Sequence, residues 1–259
     1  MSDLAKTPVT SKTPFASKTP FASKIPCTIV TGFLGAGKTT LVRHLLENAG
    51  GRRLAVLVNE FGEIGFDGSL IEGCGISGCT REDIVELPNG CICCTVADDF
   101  VPALERLLDR PDPPEHILIE TSGLALPKPL VTAFNWPAIR SRVTVDGVIA
   151  VVDGPAVAAG FFASDPDALA AQRAADPSVE HDNPLEEVFE DQVLCADMIL
   201  LNKTDLMRPE ERETARGIIA GHLPRAVKIV ETSQGGVDPA LILGLDAAAE
   251  SELAARPSH

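Results

Sequence analysis

A glycine-rich segment near the start of the chain has the spacing needed to hold phosphate. Residues 32–40 read GFLGAGKTT, a G-x-x-x-x-G-K-T pattern between an apolar run and an amphipathic stretch. Between a strand and a helix, this pattern places backbone N–H groups around phosphate oxygens. We expect Lys38 to reach the β and γ oxygens, as a catalytic and a binding residue, and the Thr39 hydroxyl to bind Mg²⁺. A glycine turn that only opens a helix is the alternative. The residues predicted to bind phosphate are Gly32, Gly35, Ala36, Gly37, Lys38, Thr39 and Thr40.

A second polar segment indicates which base is bound. Asn202-Lys203-Thr204-Asp205 follows an apolar run, at the carboxyl end of a predicted strand, where α/β sheets place ligands. The Asp205 carboxylate can accept from N1–H and N2–H of guanine, a donor pair that adenine lacks. Lys203 can lay its stem along the base, and Asn202 can tie this loop to the phosphate-binding loop. The pattern therefore favours GTP over ATP. Thr232 and Ser233, after the next predicted strand, are further candidates for the base pocket.

A third segment is an apolar run that ends in an acid. Residues 116–123 read HILIETSG, so the predicted strand ends at Glu120. There a carboxylate can hold Mg²⁺ through water or orient the attacking water, and Glu120 is therefore a candidate catalytic and metal-binding residue. A solvated strand-end carboxylate is the alternative. Since no glutamine stands beside Glu120 and no arginine finger can be assigned, we expect slow intrinsic hydrolysis.

Three cysteines within four positions could bind a metal ion. Cys91, Cys93 and Cys94 follow a Pro-Asn-Gly turn, whose irregular backbone lets neighbouring thiols face the same ion. Three thiolates fill most of a tetrahedral site and leave one position for another ligand. Such an incompletely closed site suits a carrier that must release its metal. Buried structural thiols or a redox pair are the alternatives.

Short apolar runs alternate with helical stretches from Ile25 onward. Strands that are apolar throughout are buried on both faces, so the alternation predicts an α/β fold with a mostly parallel, doubly wound sheet and helices on both faces. The predicted strands are Cys27–Thr31, Leu54–Asn59, His116–Glu120, Val143–Val152, Met198–Asn202 and Val227–Val230. The predicted helices are Lys38–Asn48, Asp98–Leu108, Pro184–Ala196 and Pro209–His222.

The composition argues against several classes of protein. The 259 residues include 22 Lys and Arg against 37 Asp and Glu, and the net charge of −15 is the opposite of what nucleic-acid binding requires. The most apolar stretch, residues 148–163, is interrupted by Asp153 and is too short to span a membrane. The first residues contain no apolar segment of a secretory signal. Five of the seven cysteines lie between Cys74 and Cys94, which favours metal or thiol chemistry in a reducing compartment, and the cytoplasm is the expected location.

The chain is predicted to divide into three parts. The hexamer SKTPFA occurs at residues 11–16 and again at 17–22, too few units to stack, so residues 1–24 are predicted to be a flexible arm. A docking arm is the alternative. Residues 25–240 are predicted to form the nucleotide-binding domain with the cysteine loop, and residues 241–259 a C-terminal tail.

Taken together, the motifs resemble the CobW-type GTPases, a family of metallochaperones and metal-insertion proteins with the P-loop fold. The matching segments, spread over residues 31–205, are TGFLGAGKTT, VNEFGEIGFDG, ELPNGCICCTV, ETSGLALP and NKTD. By that resemblance the three clustered cysteines carry the C-x-C-C metal motif. Glu60 and Asp67 lie where the family's nucleotide-responsive switch and accessory metal or Mg²⁺ ligands lie. The alternative for each of these two is a solvated loop acid.

The segments are most similar to those of family members that serve cobalamin biosynthesis. That implies a GTPase that binds Co²⁺ and delivers it to a cobaltochelatase. The alternatives are a Zn²⁺ chaperone of the same family, a signalling GTPase with structural cysteines, and a small-molecule kinase, which the guanine motif disfavours.

Two features depart from the family pattern. Members usually continue into a smaller C-terminal domain; here either that domain is expected to be absent or the chain is truncated. Cys74 and Cys79 form an additional C-x4-C pair, for which a second metal site and an exposed loop are both open.

Overall fold

The computed structural model describes residues 24–58, 83–86, 100–175 and 184–256 and contains a sheet of seven strands. All neighbouring strands are parallel, in the order β3-β2-β4-β1-β5-β6-β7. The predicted doubly wound α/β fold is therefore confirmed. The strands are β1 Ile25–Thr31, β2 Leu54–Val58, β3 Ile84–Glu86, β4 His116–Glu120, β5 Val143–Asp153, β6 Met198–Asn202 and β7 Lys228–Glu231.

The central strand begins earlier than predicted. The predicted strand starts at Cys27, directly after Pro26, which has no N–H to donate to a ladder. In the structure β1 begins at Ile25, whose N–H donates to Arg142 O at 2.7 Å, and Pro26 pairs in register with Thr144 of β5. The structure also contains β3, which was not predicted because three residues are too short to show a periodicity.

Seven α-helices lie within the described ranges. Three of them, the third to the fifth in chain order, were not predicted. Two are only seven and five residues long, too short to show a helical period, and the third is rich in alanine, so its faces differ little in hydrophobicity. Each has a proline within its first two residues, where its missing N–H needs no partner. The helices are α1 Lys38–Glu47, α2 Val101–Leu108, α3 Pro127–Ala133, α4 Gly154–Ala158, α5 Pro166–Ala175, α6 Leu185–Cys195 and α7 Pro209–His222.

The central strands are buried on both faces of the sheet. In β1, Ile29 belongs to the apolar cluster on one face and Val30 to the cluster on the other. Alternate burial of this kind explains why the strands are continuous apolar runs. A third apolar cluster lies around β5 and β6 and reaches the phosphate-binding loop through Phe33. Within the described ranges no helix is long and apolar enough to cross a membrane.

The segment after the last strand packs back onto the domain. The carboxylate of Asp146, in β5, accepts hydrogen bonds from the backbone N–H groups of residues 244–246. Glu250 is 6% exposed and accepts from Thr144 Oγ1 at 2.7 Å and from Val145 N at 2.9 Å. Arg256 donates to Asp197 Oδ1 at 2.6 Å and to Cys195 O. Residues 244–256 are therefore held through polar contacts to the body of the domain.

Candidate nucleotide-binding site

The phosphate-binding loop lies between β1 and α1, and close contacts with neighbouring strands require glycine at two of its positions, Gly32 and Gly37. Gly32 has a φ of +137°, and a Cβ there would come within 2.1 Å of Val151 O. Gly37 has a φ of +105°, and a Cβ there would come within 2.3 Å of Asn202 Nδ2. A larger residue at either position would push the loop away from β5 or β6. Of the other predicted phosphate-binding residues, Ala36 is buried, whereas Gly35 and Thr40 are exposed.

The phosphate end of the site contains three polar side chains that are wholly or partly buried. Lys38 is 8% exposed and its Nζ donates to Phe33 O, in the same loop, at 3.1 Å. Thr39 Oγ1 donates to Glu120 Oε1 at 2.6 Å, and Glu120 is 3% exposed. The structure thus joins the start of α1 to the end of β4. A hydroxyl and a carboxylate oxygen at this separation are the hard oxygen donors that Mg²⁺ prefers, so the residues present fit that ion.

Asn202 connects the phosphate-binding loop to the base end. Its Nδ2 donates to Ala36 O at 2.8 Å, and its Oδ1 accepts from Gly235 N at 3.3 Å. Asn202 is 2% exposed, so both polar atoms of the amide act within the protein rather than with solvent. One side chain therefore bridges the loops that follow β1 and β7.

Lys203 is held by an acid that the sequence analysis did not single out. Its backbone lies in the left-handed region, with φ 61°, and its Nζ lies 2.6 Å from Asp153 Oδ2. The Asp153 side chain is fully buried and also accepts from Ser164 Oγ at 2.5 Å and from Ala156 N at 3.2 Å. Since the ammonium is fixed at Asp153, the stem of Lys203 is fixed as well. A signal was present in the sequence, because Asp153 ends an apolar strand just as Glu120 does.

Asp205 and Ser233 form the exposed part of the base end. Asp205 Oδ1 accepts from Ser233 Oγ at 2.7 Å. Thr232, also a candidate, donates from Oγ1 to Gly236 O and thereby stabilises the turn after β7. The other carboxylate oxygen, Asp205 Oδ2, takes no part in this hydrogen bond. The loops after β6 and β7 are therefore adjacent at the same edge of the sheet.

The predicted cysteine ligands and the two candidate accessory acids lie outside the described residues. The cysteines are Cys91, Cys93 and Cys94, and the acids are Glu60 and Asp67; the additional Cys74 and Cys79 also lie outside. Within the described ranges no group of three or more His, Cys, Asp or Glu could hold a metal ion.

The two described cysteines are poor candidates for metal ligands. Cys27 and Cys195 are both fully buried free thiols. Burial raises the pKa of Cys27 well above its usual value and the pKa of Cys195 to about 11. Both therefore stay protonated near neutral pH, whereas a metal binds the thiolate.

Most of this chain is similar in sequence to a known protein family and to two of its named relatives. Residues 26–231 match the family described as CobW/HypB/UreG, nucleotide-binding domain. A protein named zinc chaperone CobW, from a Sinorhizobium species, is 54% identical over 234 residues, which are 90% of this chain and 66% of that protein. The zinc chaperone CobW of Pseudomonas aeruginosa is 56% identical over 238 residues, 90% of this chain and 63% of that protein. The chain thus spans slightly less than two thirds of the length of these relatives.

A solved structure supports the same assignment. The Zn(II)-bound YjiA GTPase from Escherichia coli has a TM-score of 0.54 to this fold and 27% sequence identity, over 86% of this chain and 62% of that one. The resemblance expected from the motifs is confirmed, and the predicted GTPase agrees with the name of that structure. The matched region runs from Pro26 in β1 to the end of β7 and includes Lys38, Glu120 and Asp205. The chain belongs to the CobW/HypB/UreG nucleotide-binding domain family.

Proposed function

We propose that this chain binds and hydrolyses GTP and couples the nucleotide state to the binding and release of a transition metal ion. The observation that carries the proposal is the convergence of two polar ends at one edge of the sheet. Lys38, Thr39 and Glu120 form the phosphate end, and Asn202, Lys203 and Asp205 form the base end. The hydrogen bond from Asn202 Nδ2 to Ala36 O holds the two ends at a fixed position relative to each other.

Each described side chain has a role that its position supports. Lys38 would leave Phe33 O for the β and γ oxygens, where its charge offsets that of the phosphates. Asp205 would accept from the guanine N1–H and N2–H, while Lys203, anchored at Asp153, covers the face of the base. Thr39 and Glu120 would hold Mg²⁺, the latter through water, and the bound ion would neutralise charge on the β and γ phosphates.

For the metal cargo we propose Zn²⁺ bound by Cys93 and Cys94 with Cys91. The relatives named above are zinc chaperones by name, and the intrinsic affinity order places Zn²⁺ above Co²⁺ for one set of ligands. Delivery of Co²⁺ to a cobaltochelatase remains a prediction from the motif resemblance alone. The recipient of the metal is a protein in either case, and we propose the cytoplasm as the compartment, since thiolates must stay reduced.

A metal titration in three nucleotide states tests the proposal. The reduced protein is titrated with Co²⁺ and then with competing Zn²⁺, without nucleotide, with Mg²⁺GDP and with a non-hydrolysable Mg²⁺GTP analogue. We expect thiolate-to-Co²⁺ charge-transfer absorbance that depends on the nucleotide and is displaced by Zn²⁺. The C93S/C94S variant should lose this absorbance and keep GTP binding. The matched control, C74S/C79S, removes two thiols of the same region and should keep the absorbance.

Two results would contradict the proposal in different ways. Absorbance that is the same in all three nucleotide states would refute the coupling and favour a switch with structural cysteines. Binding of ATP as tight as that of GTP would refute the assignment of the base end.

A further inference from the structure

The helix α5 brings a glutamine to the phosphate end of the site. Asp165 caps the helix, since its Oδ1 accepts from Ala168 N at 2.9 Å. Leu169 is 4% exposed and belongs to the same apolar cluster as Phe33 and Leu124. Phe33 lies in the phosphate-binding loop, and Leu124 lies in the segment between β4 and α3. The cluster therefore packs α5 against the phosphate-binding loop and against the segment that follows β4.

Gln172 lies on the helix face that Leu169 anchors. It is three residues further along α5, and residues three apart share a face of a helix. A Cβ built on Gly123 would come within 2.9 Å of Gln172 Oε1 and within 2.7 Å of Leu34 N. The glutamine amide and the phosphate-binding loop thus approach Gly123 together. Gly123 is three residues beyond Glu120, which contacts Thr39.

The amide oxygen of Gln172 lacks a donor within the described part of the protein. Gln172 Oε1 is buried and has no hydrogen-bond partner among the described residues. A buried acceptor without a donor is unfavourable, and such an atom beside a ligand site is expected to be satisfied when the ligand binds. The position is next to the loop that Lys38 belongs to, where the terminal phosphate of a bound nucleotide is expected. A water molecule that attacks this phosphate can supply the missing O–H donor.

We propose that Gln172 positions the attacking water for hydrolysis of GTP; this rests on the nucleotide site proposed above. Gln172 Oε1 accepts one O–H of the water and directs an oxygen lone pair at the γ-phosphorus. The new bond joins the water oxygen to phosphorus, and the bond from phosphorus to the β–γ bridging oxygen breaks. GDP leaves with that electron pair, and the water's protons pass to the phosphate product and solvent. The amide itself keeps its protons, so its contribution is orientation.

Substitutions at one position separate this role from packing. Q172M keeps the length of the side chain and removes the acceptor, whereas Q172E keeps an acceptor oxygen. The double variant A171Q/Q172M returns a glutamine to the adjacent, exposed position and serves as the matched control. Three quantities are measured on purified protein with Mg²⁺: the single-turnover rate of GTP hydrolysis, the Kd of a fluorescent non-hydrolysable GTP analogue, and the Kd of GDP with aluminium fluoride.

We expect the hydrolysis rate of Q172M to fall at least tenfold, with the analogue's Kd within threefold of the wild-type value. Binding of GDP with aluminium fluoride, which mimics the transition state, should weaken in parallel with the rate. The double variant should behave like Q172M. The rate of Q172E should rise as pH is lowered, because protonation restores a neutral group beside the phosphate.

The outcomes distinguish this inference from the proposed function. A Q172M rate within threefold of wild type would overturn the inference while wild-type GTP binding still supports the site. Equal loss of analogue binding and rate would also overturn it, in favour of a packing role. Should Q172M not fold, a Q172E rate that follows pH as the wild-type rate does would overturn it too. Wild-type protein that binds no GTP analogue would refute the proposed function itself.

Discussion

Replacement of Asp153 by asparagine tests how the base end is built. The change preserves the size of the side chain and removes its charge. Asp153 is fully buried at its side chain and lies 2.6 Å from Lys203 Nζ, with Ser164 Oγ at 2.5 Å on the same oxygen. An asparagine oxygen can still accept one of these bonds. The lysine loses its ionic partner, and with it the restraint on the stem that is expected to cover the base.

The magnitude follows from the exposure of the two partners. A hydrogen bond that involves a charged group contributes about 1.5–3 kcal/mol. Lys203 is 26% exposed, so water recovers part of that loss once the carboxylate is gone. We therefore expect the D153N variant to bind GDP about 1.4 kcal/mol less tightly, which is about a tenfold rise in Kd.

The assay is a titration of wild type and variant with fluorescent GDP at fixed Mg²⁺ and salt. Asp165→Asn is the matched control, since it makes the same chemical change at an exposed residue of the same segment. Asparagine caps a helix about as well as aspartate, so α5 should be retained and the control Kd should stay within twofold of wild type. A D153N Kd that also stays within twofold would refute the idea that Asp153 organises the base end through Lys203.

Three further predictions concern pH, the phosphate-binding loop and the C-terminal segment. Burial, opposed by Asp146 and assisted by Arg52, lowers the pKa of His116 from 6.5 to about 4. Between these two pH values the unfolded chain binds one more proton than the folded chain, so the free energy of unfolding should fall by about 3 kcal/mol as pH is lowered through this window. Urea unfolding of the H116Q variant should show a smaller loss than that of the wild type. Gly37→Ala should raise the Kd of GDP at least tenfold, because a Cβ would meet Asn202 Nδ2 at 2.3 Å; wild-type affinity in the same titration would contradict this. Arg256→Ala leaves a largely buried carboxylate at Asp197 without its ionic partner, so the free energy of unfolding in urea should fall by about 2–4 kcal/mol while GDP binding is retained. A loss below about 0.5 kcal/mol would show that this ion pair does not hold the C-terminal segment to the domain.

The central strands and the nucleotide motifs were predictable from the sequence for a physical reason. β4 and β6 are buried on both faces, which makes them uninterrupted apolar runs with sharp ends at Glu120 and Asn202. The glycine spacing before Lys38 is equally recognisable, because close approaches to Val151 O and Asn202 Nδ2 exclude any side chain there. Constraints of this kind act on single positions, so they determine the residue type there and can be recognised from the sequence.

The supporting side chains were not predictable, because their roles depend on tertiary contacts. The position of Asp153 at the end of an apolar strand marks it as a candidate, but its partner Lys203 lies fifty residues further on, and nothing in the local sequence indicates the pairing. Gln172 lies in α5, an alanine-rich helix whose faces differ little in hydrophobicity, so no periodic pattern marks it in the sequence. Gln192 is similar: it is 1% exposed and its Nε2 donates to Gly123 O at 3.1 Å and to Ala125 O at 3.3 Å, across 67–69 residues of sequence.

The stretch of chain from Asp153 to Gln172 contacts both ends of the nucleotide site. It begins at the ammonium of Lys203 and ends beside Gly123, and Ala163 and Leu169 fix its middle in one apolar cluster. Because these contacts belong to one packed segment, we expect a shift at one end to change the geometry at the other. Substitution free energies at Asp153 and Gln172 should therefore not be additive, as for residues that share a packed structural element. Under the roles proposed for Lys203 and Gln172, discrimination of the base and cleavage of the terminal phosphate would then be coupled through a single segment.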